Sequence, residues 1–457
     1  MFYSASLPYV DEATGYFAAI ADLPWAVWLD SAGRGRYDIL CAQPAATLLT
    51  DGASTTESDA AGIRCSSDDP FALLRRQLGV ATAPIAGVPF AGGALGYWGY
   101  DLARQRTTLP ARKKGGGKPP EMAVGIYDWA LVLDHLEKTA RLVSFQRFPE
   151  TAQLLPRILA RLQRGGKPIL AEFRVHGKIS PNLDGDAYRT AFEAVQAYLH
   201  EGDCYQVNLA RCYAAAASGD GLAAYVELRR LSPAPYSAFL NLPQLQILCA
   251  SPERFLRVQG SRVETKPIKG TRPRMADAQR DAQMVADLRG HAKDRAENLM
   301  IVDLLRNDLG KNCVPGSISV PGLFEVESYA NVHHLVSTVT GQLVSGRDAL
   351  AVLRDCFPGG SVTGAPKRRA MEIIDQLEPD RRGVYCGAVG YIGFDGNMDT
   401  NIAIRTLVYM DSEIRLWAGG GIVADSVMAE EYQETLDKAS AMLRLLQLFG
   451  GEYQGRE

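Results

Sequence analysis

Lys269 lies in the run Pro267-Ile268-Lys269-Gly270-Thr271-Arg272-Pro273-Arg274, directly after sequence that reads as strand from Gln246 to Ser251 and from Arg254 to Val263. A lysine held on a stiff element is a nucleophile once its ammonium has lost a proton. Pro267 and Pro273 fix φ at both ends of what reads as a turn. Gly270 has no side chain, so a ligand can approach the backbone there. A solvated loop lysine satisfies the same spacing, and both readings stand at this point.

Carboxylates supply the second set. Glu297 and Glu434 fall on two separate predicted helices, and Glu430 and Glu431 precede Glu434 by four and three residues, so all three share a face. Clustered carboxylates repel unless a cation neutralises them. An all-oxygen donor set suits Mg²⁺, and a solvated acidic helix face is the alternative. Glu253, in Ser251-Pro252-Glu253-Arg254, precedes Lys269 by sixteen residues. It is either a salt-bridge partner of Arg254 or a carboxyl of raised pKa that donates a proton to a leaving group.

Three further features bear on binding. Gly419-Gly420-Gly421 interrupts strand-like sequence between Ile414–Trp417 and Ile422-Val423, where a flexible linker would be costly. Close backbone approach to an anionic ligand explains it better. The run from Phe357 to Lys367 resembles a phosphate loop, but its lysine falls two residues late, which excludes nucleotide binding and leaves Thr363-Gly364 as a substrate-lining turn. His333 and His334 would point to opposite faces of a strand, a poor start for a metal site. His334 is a core histidine or a contact to substrate or leaving group.

These residues need elements to hold them. Residues 151–164, 186–201, 277–309 (broken near Gly290) and 429–449 carry helical periodicity. Strand patterns cover 25–29, 37–40, 123–133, 140–148, 205–213, 385–394 and 401–409. Helices and antiparallel-type strands intermix without regular βαβ spacing, so the expected class is α+β. A boundary near 170–185 separates an N-terminal region, 1–175, from a catalytic region, 185–450. The basic, glycine-rich run 112–120 reads as a surface loop.

Composition narrows the function classes. The chain has 457 residues, 47% of them hydrophobic, and a net charge of −3, which argues against a nucleic-acid footprint. No uncharged apolar run approaches the roughly 18 residues of a membrane span, and the N-terminus has no signal-peptide pattern. Eight scattered cysteines without a Cys-x-x-Cys pair fit reduced thiols in a cytoplasmic protein and argue against zinc.

The ordered blocks give a family resemblance. Gly202-Asp203-Cys204-Tyr205-Gln206-Val207-Asn208-Leu209, Ser251-Pro252-Glu253-Arg254-Phe255, the Lys269 run, Lys293-Asp294-Arg295-Ala296-Glu297-Asn298 and His333-His334-Leu335-Val336-Ser337-Thr338 are similar to the signatures of the chorismate-utilising enzymes. So are Phe357 to Lys367, Ile404-Arg405-Thr406, Ala418 to Val423 and Glu430-Glu431-Tyr432-Gln433-Glu434-Thr435. The resemblance covers residues 185–445 and implies a β-sandwich-like core of antiparallel sheets, with helices outside and strands drawn from both regions.

It also implies chemistry. Glu297 and Glu434 match the family's Mg²⁺ ligands, with the C1 carboxylate of chorismate completing the site. Glu253 matches the acid that assists loss of the C4 hydroxyl, and Arg405 and Tyr391 match residues that hold the second carboxylate. Leu29-Asp30-Ser31 and Pro235-Tyr236-Ser237 resemble the two walls of the family's tryptophan pocket. Anthranilate-forming members carry alanine at the position of Lys269. The lysine resembles the branch that aminates chorismate to 4-amino-4-deoxychorismate, toward p-aminobenzoate and folate.

On that reading the substrates are chorismate and ammonia, and Lys269 adds at C2. Burial and Mg²⁺ are expected to depress its pKa. No Gly-x-Cys-x-Gly nucleophile is visible, so a glutamine amidotransferase subunit is expected as partner in a heterodimer, and a fused lyase is not expected before Glu457. The rivals are an anthranilate or isochorismate synthase and a non-catalytic chorismate- or tryptophan-binding regulatory subunit. The second would be expected to have lost Lys269, Glu297 or Glu434.

Overall fold

The computed structural model describes residues 2–107, 118–166, 172–329 and 332–453. Most of the basic, glycine-rich run 112–120 lies outside the described residues.

Two 12-stranded sheets form the body, and their ladders are antiparallel throughout the described residues. Each sheet draws on both ends of the chain. Ala26–Asp30 pairs with Tyr236–Asn241 in the first, and Gly93–Trp98 pairs with Ala388–Gly393 in the second. The architecture is α+β, as the mixed pattern predicts.

Side-chain alternation explains why so many strands read as unbroken apolar runs. In the first sheet Val27, Ile39 and Ile247 face the second sheet and meet Leu48, Leu95 and Val124. The intervening Trp28, Leu40 and Leu248 face the helix layer, where Leu155, Leu228 and Leu446 cover them. Both faces are therefore buried, and each large apolar side chain contributes about 1.5–3 kcal/mol. The helix Thr151–Arg164 buries Leu155, Ile158 and Leu162, the stripe its sequence shows.

Two expected strands are each two strands in different sheets. The run 123–133 divides into Met122–Tyr127, in the second sheet, and Ala130–Asp134, in the first. Between them Asp128 is buried and accepts from the Phe148 amide at 3.0 Å and the Thr151 hydroxyl at 2.7 Å. The run 401–409 divides into Met398–Asn401 and Thr406–Met410, again in opposite sheets. Arg405, with φ +49°, sits in that crossing. Apolar alternation continues across both breaks, so periodicity does not register them.

Candidate active site

Lys269 lies on an edge-proximal strand, not in a turn. Ile268–Pro273 pairs with Val332–Gln342, with Lys269 opposite Leu335 and Thr271 opposite His334. Gly270 is the extra residue of a bulge and has φ +74°. A Cβ at Gly270 would lie 2.9 Å from Asp294 Cγ and from Leu288 Cδ1. The missing side chain therefore makes room for the helices Ala278–Gly290 and Ala292–Gly310, not for a ligand as expected.

The lysine is held between carboxylates. Its Nζ lies 3.1 Å from Glu297 Oε1 and donates to the Ser361 carbonyl at 3.3 Å. The Ser361 hydroxyl in turn donates to Glu253 Oε1 at 2.9 Å. One residue thus touches both Lys269 and Glu253.

The charges set the protonation states. Burial lowers the Lys269 pKa, but the carboxylates of Glu297, Glu253 and Glu434 outweigh it and hold the ammonium above its ordinary value. The expected depression is absent from this geometry, because three carboxylates oppose one desolvation effect. Glu253, 6% exposed, is pushed up by burial more than Lys269 and Ser361 pull it down.

Three carboxylates converge over the glycine triplet. A Cβ at Gly420 would lie 3.0 Å from Glu431 Oε2 and 3.6 Å from Glu434 Oε1, and one at Gly421 would lie 3.1 Å from Glu297 Oε1. The triplet therefore leaves space for this chain's own side chains, Gln206 included, whose Nε2 lies 2.0 Å from that Gly421 point. Glu431 is buried and joins the group, whereas Glu430 is exposed. Each carboxylate has a lysine: Lys269 for Glu297, Lys293 for Glu431 at 3.5 Å, and Lys438 for Glu434 at 2.5 Å.

The donor set fits a hard cation with a qualification. Carboxylate oxygens are the ligands Mg²⁺ prefers. Among the described residues, however, no three His, Cys, Asp or Glu side chains are disposed to enclose a metal. Mg²⁺ fits here with water oxygens completing its shell beside the glutamates, and substrate oxygens replacing some of that water once substrate binds.

Arg405 is the other half of the site. It makes no ion pair among the described residues, and burial alone lowers its pKa. His334, which feels the Arg405 charge, is buried and has its pKa brought down to about 3 by desolvation first and Arg405 second. The ring is neutral, and its Nδ1 meets the Thr271 hydroxyl at 2.9 Å. An unpaired guanidinium beside a neutral imidazole is a receptor for an anion.

Other expected residues sit elsewhere. Thr363 is fully buried and its hydroxyl donates to the Gly359 carbonyl at 3.0 Å. It shapes the turn, and Ser361 two residues earlier makes the site contacts. Tyr391 packs on Phe90 with ring centroids 5.1 Å apart and lines a different cavity, so the expected pairing with Arg405 is corrected. The cause is strand orientation: Tyr391 sits opposite Leu95 and Asp399 in the second sheet, away from the crossing that carries Arg405.

That second cavity measures about 780 Å³ and is lined by Leu29, Asp30, Pro235, Tyr236, Ser237 and Tyr391 among others. Ser31 is not in the lining; its hydroxyl is buried without a hydrogen-bond partner. The Arg254 guanidinium lies 5.0 Å from the Tyr236 ring centroid and pairs with Asp399 and Glu264, both at 3.0 Å. Asp30 is raised to about 7 by burial and by Asp38, although Arg229 lies 2.8 Å away.

Sequence reasoning left out Ser361, Lys293, Lys438 and Gln206. Ser361, Lys293 and Gln206 fall inside the family-like blocks without a role assigned to them, and Lys438 stands four residues after Glu434 on one helix.

The chorismate binding enzyme family matches residues 25–444. Aminodeoxychorismate synthase component 1 of Klebsiella aerogenes is 47% identical over 450 residues, covering 97% of this chain and 98% of that one. The protein of the same name from Escherichia coli (strain K12) is 46% identical over 450 residues, covering 96% of each. Among solved structures, anthranilate synthase component I from Streptococcus pneumoniae TIGR4 superposes with a TM-score of 0.79 at 31% identity, over 89% of this chain and 92% of that one.

Proposed function

This chain belongs to the chorismate binding enzyme family, and we propose that it converts chorismate and ammonia to 4-amino-4-deoxychorismate, with a glutamine amidotransferase as the partner that supplies ammonia. The observation that carries this reading is Lys269 Nζ, 3.1 Å from Glu297 and joined through Ser361 to a buried Glu253 of raised pKa. The near-full-length likeness to two proteins named aminodeoxychorismate synthase component 1 supports the same assignment. The product feeds p-aminobenzoate and folate synthesis in the cytoplasm on this reading.

The residues divide the work. Arg405 binds one carboxylate of chorismate with its free guanidinium. Glu297 and Glu434, with Glu431 beside them, hold Mg²⁺. When bound, Mg²⁺ supplies positive charge for the other carboxylate and offsets the repulsion among the glutamates. Lys269, as the free amine, adds at C2 while the C4–O bond breaks, and Glu253 gives its proton so that water leaves. Ammonia then bonds to C4, the C2–N bond breaks, and the proton lost by ammonia returns to Glu253. The balance is chorismate plus ammonia to aminodeoxychorismate plus water.

Lys269 must shed the proton that its carboxylate neighbours retain. Mg²⁺, when bound, would offset the charge of those neighbours and lower the Lys269 pKa toward the working range. The second cavity is read as a tryptophan site, supported by its volume and by Leu29, Pro235 and Ser237 in its wall. The test is product identification from the purified chain with chorismate, Mg²⁺ and ammonium. Aminodeoxychorismate is expected from ammonium, and from glutamine only once the amidotransferase is added. Anthranilate or isochorismate as the sole product overturns the assignment.

A further inference from the structure

Arg211 is 1% exposed, and among the described residues none of its hydrogen bonds goes to a carboxylate. Its Nε donates to the Leu183 carbonyl at 2.9 Å, and its terminal nitrogens reach the Tyr432 hydroxyl at 3.0 Å and the Thr435 hydroxyl at 3.4 Å. Three rings surround it, with centroids 4.2 Å (Tyr432), 5.2 Å (Tyr213) and 6.0 Å (Tyr188) from the guanidinium carbon. Burying a guanidinium without a paired anion is unfavourable, and aromatic faces offset only part of it. Such a residue needs a reason beyond filling space.

Its position supplies one. Tyr432 and Thr435 interleave with Glu431 and Glu434 on the helix Met428–Leu448, within about one turn. On the strand Gln206–Gly219, Arg211 faces Ala418, and Leu209 two residues earlier faces Gly420. Arg211 therefore ties the strand beside Gly420 to the helix that hangs two carboxylates above it. The glutamate charges also reach the Tyr188 ring that Arg211 faces. Arg211 is one of the contacts that fix how far Glu431 and Glu434 stand from Gly420, beside Lys438, which pairs with Glu434 and donates to the Gly419 carbonyl at 3.0 Å, and Ser426, which donates to Glu431 at 2.6 Å.

We propose that Arg211 is a positioning residue that holds Glu431 and Glu434 at the height over Gly420 at which they bind a divalent cation. The proposal rests on the metal reading given above. Partners that orient metal ligands are typically worth about 10–100-fold in affinity. A purely structural arginine would lower the melting temperature and leave the metal affinity of the folded protein unchanged.

The test is direct binding of Mn²⁺, as probe, to the full-length chain without substrate, followed by calorimetry or by the electron paramagnetic resonance of free Mn²⁺. Arg211→Met is expected to weaken binding about tenfold or more, and Arg211→Lys to recover part of it. Tyr432→Phe keeps the ring and removes one acceptor, and is expected to weaken binding by about two- to fivefold. Mn²⁺ affinity within twofold of wild type in folded Arg211→Met overturns the proposal, whatever the fall in melting temperature. If Arg211→Met does not fold, unchanged affinity in both Arg211→Lys and Tyr432→Phe overturns it. Glu434→Gln separates the two claims: if it leaves Mn²⁺ binding intact, or wild type binds none, the metal reading fails and takes the proposal with it. If Glu434→Gln abolishes binding and the Arg211 series does not alter it, the proposal alone fails.

Discussion

The Lys269 site and the cavity walled by Pro235, Tyr236 and Ser237 differ in what their charges are free to do. Around the second cavity most cations are consumed internally, although Arg34 and Arg257 in its wall make no ion pair among the described residues. Arg254 bridges Asp399 and Glu264 and covers the Tyr236 ring, Arg229 holds Asp30, and Arg36 donates to Asp134 at 2.8 Å. Around Lys269 the balance is left open. Arg405 makes no ion pair among the described residues, and the three carboxylates cluster with one lysine each. A surface whose charges are satisfied offers shape to a ligand. A surface with unspent charge binds ions and stabilises developing charge.

That contrast can be broken most sharply at Lys269. Lys269→Ala is expected to lower amination at C4 by at least about 10³-fold, on the order of 4 kcal/mol in barrier, in a steady-state assay that quantifies aminodeoxychorismate. The space opened at C2 should let ammonia or water attack there, giving anthranilate- or isochorismate-type products. Unaltered C4 amination would make the lysine only an electrostatic fixture. Next in size is the unpaired cation. Arg405→Met removes charge-assisted contacts worth about 1.5–3 kcal/mol each, so KM for chorismate should rise about 10- to 100-fold.

Tyr391→Phe is expected to leave KM for chorismate within about twofold, because its ring packs on Phe90 and lines the second cavity. A tenfold rise in KM would return Tyr391 to the substrate's carboxylate and erase the separation between the cavities.

The smallest expected effect is on stability. Burial holds the Glu253 pKa above its ordinary value. The folded state therefore keeps that proton more tightly than the unfolded state, and the associated stability is full below the ordinary carboxylate range. It is lost as pH rises through the folded pKa. Glu253→Gln imitates the protonated form at every pH. The unliganded variant should gain on wild type in urea melts as pH rises above the ordinary carboxylate range, while turnover is lost. A gap that narrows with pH reverses the sign and contradicts the assigned burial effect.

The sequence made some of this readable for definite reasons. The helices Thr151–Arg164, Gly185–His200 and Met428–Leu448 show one apolar stripe each, and they stand where the stripes end. Lys269, Glu253 and Glu297 were reachable through family-like blocks, and the structure brings them together. Ser361 lies in a family-like block too, but its role was not readable, because it acts through a carbonyl and a hydroxyl that any serine carries. The sense of the Lys269 shift required the number of carboxylates around it in space. Tyr391 was misplaced because alternation does not say which sheet a strand joins, and Arg405 owes its place to a sheet crossing hidden inside an apolar run. Spacing finds residues of the right type, and the free charge that makes one cavity reactive emerges only when partners are counted.

The central claim is a covalent bond between Lys269 and the substrate, and intact-mass analysis of the enzyme mixed with chorismate and Mg²⁺ without ammonia tests it most directly. Because the lysine adds as the C4 hydroxyl leaves, wild type should gain the mass of chorismate less one water. Peptide mapping should place that gain on Lys269, ammonium should discharge it, and Lys269→Ala should show none. Wild-type protein that turns over chorismate with ammonium yet never carries the adduct, together with Lys269→Ala that aminates C4 at the wild-type rate, would contradict the account.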